Sequence, residues 1–65
     1  MGFKISLAAA RVNAGLTQKK AAAILKVSNS TLGKWEKGES FPNAKQIENI
    51  CRLYDVAYDN LYFLS

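Results

Sequence analysis

The chain has 65 residues, of which 49% are apolar, with one cysteine, no histidine and a formal net charge of +4. The single cysteine excludes an internal disulfide, the lack of histidine argues against a Cys/His metal site, and no apolar run approaches the roughly 20 residues of a membrane span. We therefore expect one domain over residues 1–65 in an intracellular, cytoplasmic protein with no metal, cofactor or membrane contact.

The predicted elements are helices throughout, because no alternating apolar run and no Asn-Gly turn indicates a strand. In the first helix, Phe3, Leu7, Ala10 and Ala14 share one face, and Gly15 ends it.

The next two helices meet at a tight corner. Thr17 and Ser28 are the predicted N-caps of helices over 18–25 and 29–37. Only two residues separate the first of these helices from the second cap, and Ala22 is small where the helices must cross. Two helices joined in this way form the helix-turn-helix arrangement.

The C-terminal part predicts two further helical segments. Asn43 caps the fourth helix, with Gln46 as its capping-box partner. A short last turn starts at about Tyr58 and contributes Leu61 to the core. The inner face of the fourth helix is predicted to consist of Ile47, Ile50, Cys51 and Tyr54.

The stretch from Leu7 to Leu61 resembles the Cro and lambda-repressor-like (XRE-type) helix-turn-helix family. The resemblance implies an all-α, compact five-helix DNA-binding domain whose helices 2 and 3 form the helix-turn-helix, with the third helix in the major groove. It also implies a partly buried ion pair between Arg11 and Glu36. The matching residues are Gly15-Leu16-Thr17-Gln18, Ala22, Leu25, Val27-Ser28, Trp35-Glu36, Gly38, Pro42, Ile47, Ile50, Val56 and Leu61.

Four positions depart from the family pattern. Lys26 and Asp55 stand where glycine is common, at places where a left-handed backbone is wanted. Ala21 replaces the usual leucine and removes core volume. Ile24 stands where a charged residue is usual and places an apolar group on an exposed face.

The charge is concentrated in the first part of the chain. Residues 1–37 carry a net charge of +6, whereas residues 38–65 carry −2. A basic half indicates a polyanionic partner, although lysines on helices also serve solubility.

The predicted DNA contacts fall into two sets. Asparagine can bond adenine through N6 and N7, and lysine can donate to guanine O6 and N7. The predicted base-reading residues are Ser28, Asn29, Ser30 and Lys34, whose alternative role is to cap the helix and face solvent. The predicted contacts to the DNA backbone are Thr17, Gln18, Lys19, Thr31, Lys37, Asn43 and Lys45. In the family, the residue at the Gln18 position touches a phosphate and braces the third helix.

These observations predict a sequence-specific transcriptional regulator of double-stranded DNA, with a phage or mobile-element repressor that occludes its operator as the leading interpretation. The alternative is an antitoxin, whose protein partner would bind at Ile24 or at the C-terminal aromatic segment. The sequence contains no nucleophile-base pair, so we expect no enzymatic activity.

A weak homodimer on a near-palindromic operator is also predicted, because one such domain covers too few base pairs. No second domain stands in these 65 residues to hold two copies together. The candidate surface consists of Tyr58, Tyr62, Phe63 and Leu64. The alternative is that this tail folds back on the first helix and covers Phe3.

Overall fold

The computed structural model describes residues 4–64. Within these residues the structure has four α-helices and a three-residue 3-10 turn, so the five helices that the resemblance implied are not confirmed. The bounds of the second and third helices are as predicted. In chain order the elements are β1 (Ile5–Ser6), α1 (Leu7–Asn13), α2 (Gln18–Leu25), α3 (Asn29–Lys37), α4 (Ala44–Tyr54), the 3-10 turn (Tyr58–Asn60) and β2 (Leu61–Tyr62).

Side-chain caps fix where the helices start. The Thr17 hydroxyl accepts from the main-chain N–H of Lys20 at 3.1 Å. At the start of α4, Asn43 and Gln46 form the predicted capping box, with each side chain accepting from the other residue's main-chain N–H at 2.8 Å. Caps of this kind satisfy amides that have no partner within the helix, so the helix bounds follow closely from the sequence.

The expectation that the chain has no strand was wrong. β1 and β2 form a parallel pair in which Ile5 lies opposite Leu61 and Ser6 opposite Tyr62. The first helix was also predicted too long, since it starts at Leu7, where the Ser6 hydroxyl caps it. Phe3, which was placed on this helix, lies outside the described residues.

The core forms where α1, α3 and α4 meet around the second helix. Leu32 and Ile50 are its largest fully buried side chains. Cys51 is partly buried against this core, and burial raises the pKa of its thiol, in keeping with a packing role. None of the described helices is both long and apolar enough to cross a bilayer. Within residues 4–64, the buried side chains that make up this core are Leu7, Ala10, Ala21, Ala22, Leu32, Trp35, Ile50, Tyr54 and Leu61.

Candidate nucleic-acid interface

The corner between α2 and α3 orients the exposed side of α3. Lys26 ends α2 in the left-handed conformation, with φ 62° and ψ 40°. The main-chain N–H of Val27 then donates to the Ala22 carbonyl at 3.0 Å, which closes the turn. Leu32 faces the core from α3 and is fully buried, so the opposite side of this helix faces solvent.

The predicted base-reading residues lie on this exposed side. Ser28, Asn29 and Ser30 are exposed at the start of α3, and Lys34 is exposed one turn further on. Ser30 and Lys34 are four residues apart and project from the same side of the helix. Amide, hydroxyl and ammonium groups therefore share one surface, and these are the groups that read base edges in a major groove.

Ser28 and Thr31 are hydrogen-bonded to each other. The Ser28 hydroxyl accepts from the main-chain N–H of Thr31 at 2.9 Å and donates to Thr31 Oγ1 at 2.8 Å. A hydroxyl has one proton and two acceptor sites. Two of the three hydrogen-bonding sites of the Ser28 hydroxyl are therefore occupied within the helix cap, and one remains.

Asn29 is connected to the interior through Gln18. Asn29 Nδ2 donates to Gln18 Oε1 at 3.2 Å, and Gln18 Nε2 donates to Glu36 Oε1 at 3.0 Å. Glu36 also accepts from Arg11, whose Nε lies 2.8 Å from Oε2 and whose Nη2 lies 3.4 Å from Oε1. Four side chains from three helices thus form one continuous network that ends at the exposed start of α3.

The inner end of this network is an ion pair with little solvent contact. The side chains of Arg11 and Glu36 retain 15% and 8% of their exposure. Arg11 Nη1 also donates to the Leu16 carbonyl at 2.9 Å, which ties α1 to the loop before α2. The hydrogen bond to Glu36 is the main reason why the pKa of Arg11 is raised.

Reasoning from the sequence missed the contact between Gln18 and Asn29. The available signal was Gly33, a glycine inside a helix, where the residue is unfavourable without a packing reason. Gly33 is buried, and a Cβ built on it would lie 3.6 Å from both amide heteroatoms of Gln18. The Gln18 side chain therefore lies against α3 at Gly33, at a distance that a Cβ would meet as an ordinary van der Waals contact.

A family model described as helix-turn-helix matches residues 7–61, which is most of the chain. The chain belongs to the Cro and lambda-repressor-like helix-turn-helix family. Proteins of this family bind DNA, regulate transcription and are generally not enzymes. The chain is also similar to the HTH-type transcriptional activator BcrR of Enterococcus faecalis, with 34% identity over 61 residues that cover 94% of the chain. It spans 30% of the length of that relative.

The residues of this helix-turn-helix domain that are predicted to contact the DNA backbone differ in whether their side chains already bond to other protein groups. Lys19 and Lys37 are exposed. Lys45 Nζ lies 3.1 Å from Glu48 Oε1, and the hydrogen bond from Lys45 lowers the pKa of Glu48. An exposed pair of this kind contributes little to stability, so Lys45 can turn from the carboxylate to a phosphate.

The helix starts supply the remaining predicted backbone contacts. The caps at the starts of α2 and α4 engage the main-chain N–H groups of Lys20, Gln46 and Asn43. What these helix starts can offer to a phosphate is therefore the main-chain N–H groups at the first two positions of each helix. The side chain of Gln18 is held in the network described above. Its main-chain N–H, at the first position of α2, has no hydrogen-bond partner within the helix and can therefore donate to a phosphate.

The C-terminal aromatic residues of the domain are only partly covered. Tyr58, Tyr62 and Leu64 are exposed, whereas the ring of Phe63 packs edge-on against Phe41 with a centroid distance of 6.4 Å. Phe41, which the sequence reasoning did not select, is itself 60% exposed and lines a shallow depression with Tyr58 and Phe63.

Within residues 4–64, no three Cys, Asp or Glu side chains come close enough together to hold a metal ion.

Proposed function

We propose that this domain reads a specific DNA sequence for a transcriptional regulator by inserting α3 into the major groove. The observation that carries the proposal is the exposed first turn of α3, where Asn29 is held at the surface by Gln18 at 3.2 Å. A side chain held in place before binding loses less freedom when it contacts a base. Asn29 would bond an adenine, and Lys34 a guanine.

The contacts to the sugar-phosphate backbone would come from three places. The start of α2 offers Thr17, Gln18 and Lys19, and the start of α4 offers Asn43 and Lys45. Along α3, Thr31 and Lys37 flank the base-reading residues. The net charge of +6 over residues 1–37 favours such a polyanionic partner.

The regulatory effect we propose is repression by occlusion of the operator, as for a phage or mobile-element repressor. A relative described as an activator bears the same kind of domain. The position of the bound site separates the two effects, because a repressor site overlaps the promoter and an activator site lies upstream of it.

Selection of bound sequences from a random DNA pool tests the reading function. We expect one enriched motif, and an affinity that falls steeply with salt because phosphate contacts release counterions. Asn29→Ala should weaken binding to the motif by ~1–3 kcal/mol and binding to random DNA far less. Asn13→Ala is the matched control, since it removes one exposed amide side chain outside the predicted contacts. A pool without enrichment, or an affinity independent of salt, would contradict the proposal.

Two copies on a near-palindromic operator are part of the same proposal. The exposed Tyr58 and Phe41 line one shallow apolar depression together with Phe63, and exposed apolar surface of this kind marks partner surfaces. Tyr62 and Leu64 are also exposed in the same C-terminal segment. Deletion of the tail is unsuitable as a test, because β2 pairs with β1 and the fold would change. Tyr58→Ser should reduce two bound copies to one in sedimentation, whereas Val12→Ser, which also removes an exposed apolar side chain, should not.

A protein partner, as in an antitoxin, is the second candidate function. The observation that favours it is a shallow groove between α2 and α4, which Ile24, Leu53, Lys26 and Arg52 line. Its apolar floor and two cations fit an acidic amphipathic helix. Ile24→Asp should then abolish a complex with the product of a neighbouring reading frame and leave DNA binding unchanged.

A further inference from the structure

The hydrogen bonds that join the interior to Asn29 run in a fixed direction. Glu36 stands at the inner end, where its carboxylate accepts from Arg11 at 2.8 Å and from Gln18 Nε2 at 3.0 Å. An ionised carboxylate accepts hydrogen bonds and donates none. The amide of Gln18 must therefore turn its NH₂ group inward, because its carbonyl oxygen would be repelled by Glu36.

The direction of the Gln18 amide then sets that of Asn29. With its NH₂ group turned inward, Gln18 presents Oε1 at the surface, where it accepts from Asn29 Nδ2 at 3.2 Å. One proton of the Asn29 amide is used in this bond. The other proton and the oxygen Oδ1 remain, which gives one donor and one acceptor.

This pair of groups matches adenine and does not match guanine. In the major groove adenine offers an acceptor at N7 and a donor at N6, whereas guanine offers acceptors at N7 and O6. If the network ran the other way, Asn29 would accept from Gln18 with one lone pair of Oδ1 and keep both amide protons free, and two free donors are the pattern that guanine accepts.

We propose that Glu36, held by Arg11, is a positioning residue that makes Asn29 prefer adenine over guanine. The inference rests on the proposed base-reading role of Asn29. Glu36 itself is mostly buried and lies two hydrogen bonds from Asn29, so it acts on the DNA only through Gln18 and Asn29.

The test is Glu36→Gln, because a glutamine at position 36 can donate to Gln18 as well as accept from it. The base pair that Asn29 reads is first located as the one whose preference is lost in Asn29→Ala. Competition binding then compares adenine with guanine at that base pair. We expect the preference for adenine to fall by about two- to tenfold, the range that corresponds to one neutral hydrogen bond. In the Asn29→Ala background, Glu36→Gln should change the preference less than twofold.

Two further variants separate positioning from a loss of stability. Arg11→Lys weakens the ion pair but keeps the carboxylate, so it should lower the melting temperature and leave the adenine preference as in the unchanged protein. Glu36→Gln alone leaves a guanidinium without its carboxylate. The double variant Arg11→Met, Glu36→Gln also removes that charge, so we expect it to fold. Its adenine preference tests the inference if Glu36→Gln alone does not fold.

A folded variant lacking the Glu36 carboxylate that keeps the full adenine preference would overturn the inference. Failure of the proposed sequence-specific DNA binding would give a different result, because the protein without substitutions would then enrich no motif from the random DNA pool.

Discussion

The carbonyl of Leu64 lies directly over Gly38, so that a Cβ on residue 38 would meet the carbonyl oxygen at 2.6 Å. Gly38 ends α3 in the left-handed conformation, with φ 80° and ψ 15°. The C-terminal tail therefore packs against the end of the predicted recognition helix, at a position where no side chain fits.

Gly38→Ala should lower the free energy of unfolding by about 2–4 kcal/mol, which combines left-handed strain with displacement of the tail. Gly15→Ala is the matched control, because Gly15 has a similar φ of 76° but no atom within 4 Å of a built Cβ. It should show only the strain, of about 1–2 kcal/mol. Denaturant unfolding of both variants measures the difference, and equal losses would mean that the tail contact contributes nothing.

Lys26→Gly should raise the free energy of unfolding by ~0.5–1 kcal/mol. Lysine in the left-handed conformation is strained, and glycine relieves that strain but loses more entropy on folding. Asp55 has a φ of 55° and is also left-handed. Asp55→Gly should gain less, since aspartate tolerates this conformation better. A loss of stability in Lys26→Gly, measured by chemical unfolding, would show that the lysine side chain stabilises the corner.

Arg11→Met and Glu36→Gln should each lower the free energy of unfolding by ~3–5 kcal/mol, because each leaves a largely buried charge without its partner. The double variant should recover most of this loss. The measurement is a double-mutant cycle in denaturant, whose four corners are the unchanged protein, the two single variants and the double variant. Additive losses would mean that the two charges do not depend on each other.

Tyr54→Phe should leave stability unchanged or raise it by up to ~1 kcal/mol. The Tyr54 side chain is buried, and its hydroxyl has no hydrogen-bond partner among the described residues. Thermal unfolding at neutral pH compares the two proteins. A clear loss of stability would indicate that the hydroxyl makes a favourable interaction in solution.

The raised pKa of Tyr54 makes the stability of the protein depend on pH. Burial, and then the charge of Glu36, raise the pKa of Tyr54 to about 12 from its usual value of 10.0. Between these values the unfolded chain releases the phenol proton and the folded chain keeps it. Stability is therefore lost as the pH rises from about 10 to about 12, by about 2 kcal/mol from this group. Tyr54→Phe lacks this contribution, so the difference between the two unfolding curves isolates it from the lysines that titrate in the same range.

The elements that could be predicted from the sequence are those with local signals. Thr17, Ser28 and Asn43 are side-chain caps, and α2 and α3 have the predicted bounds. The strand pair could not be predicted, because two-residue segments show no periodicity and their partners are distant in the chain. Ile5 and Leu61 were each assigned to helical segments for this reason.

The candidate site divides in the same way. The exposed residues at the start of α3 follow from the helix-turn-helix pattern, whereas the bond from Asn29 to Gln18 depends on side-chain conformations. Gly33 lies beside the Gln18 amide, and this contact is visible only in the structure.

The pairing of β1 with β2 has a consequence for the order of folding. The contacts between α2 and α3 are local in the chain, whereas Lys4 donates to the Asp59 carbonyl across a separation of 55 residues. Closing so long a loop is opposed by chain entropy, so we expect this closure to come late in folding and to open first in the native state. In hydrogen exchange, the amides of the strand pair should lose protection before those around Leu32 and Ile50. We therefore expect the helix-turn-helix to resist local unfolding longest, and the strand pair to close the N- and C-terminal ends of the domain in a late step.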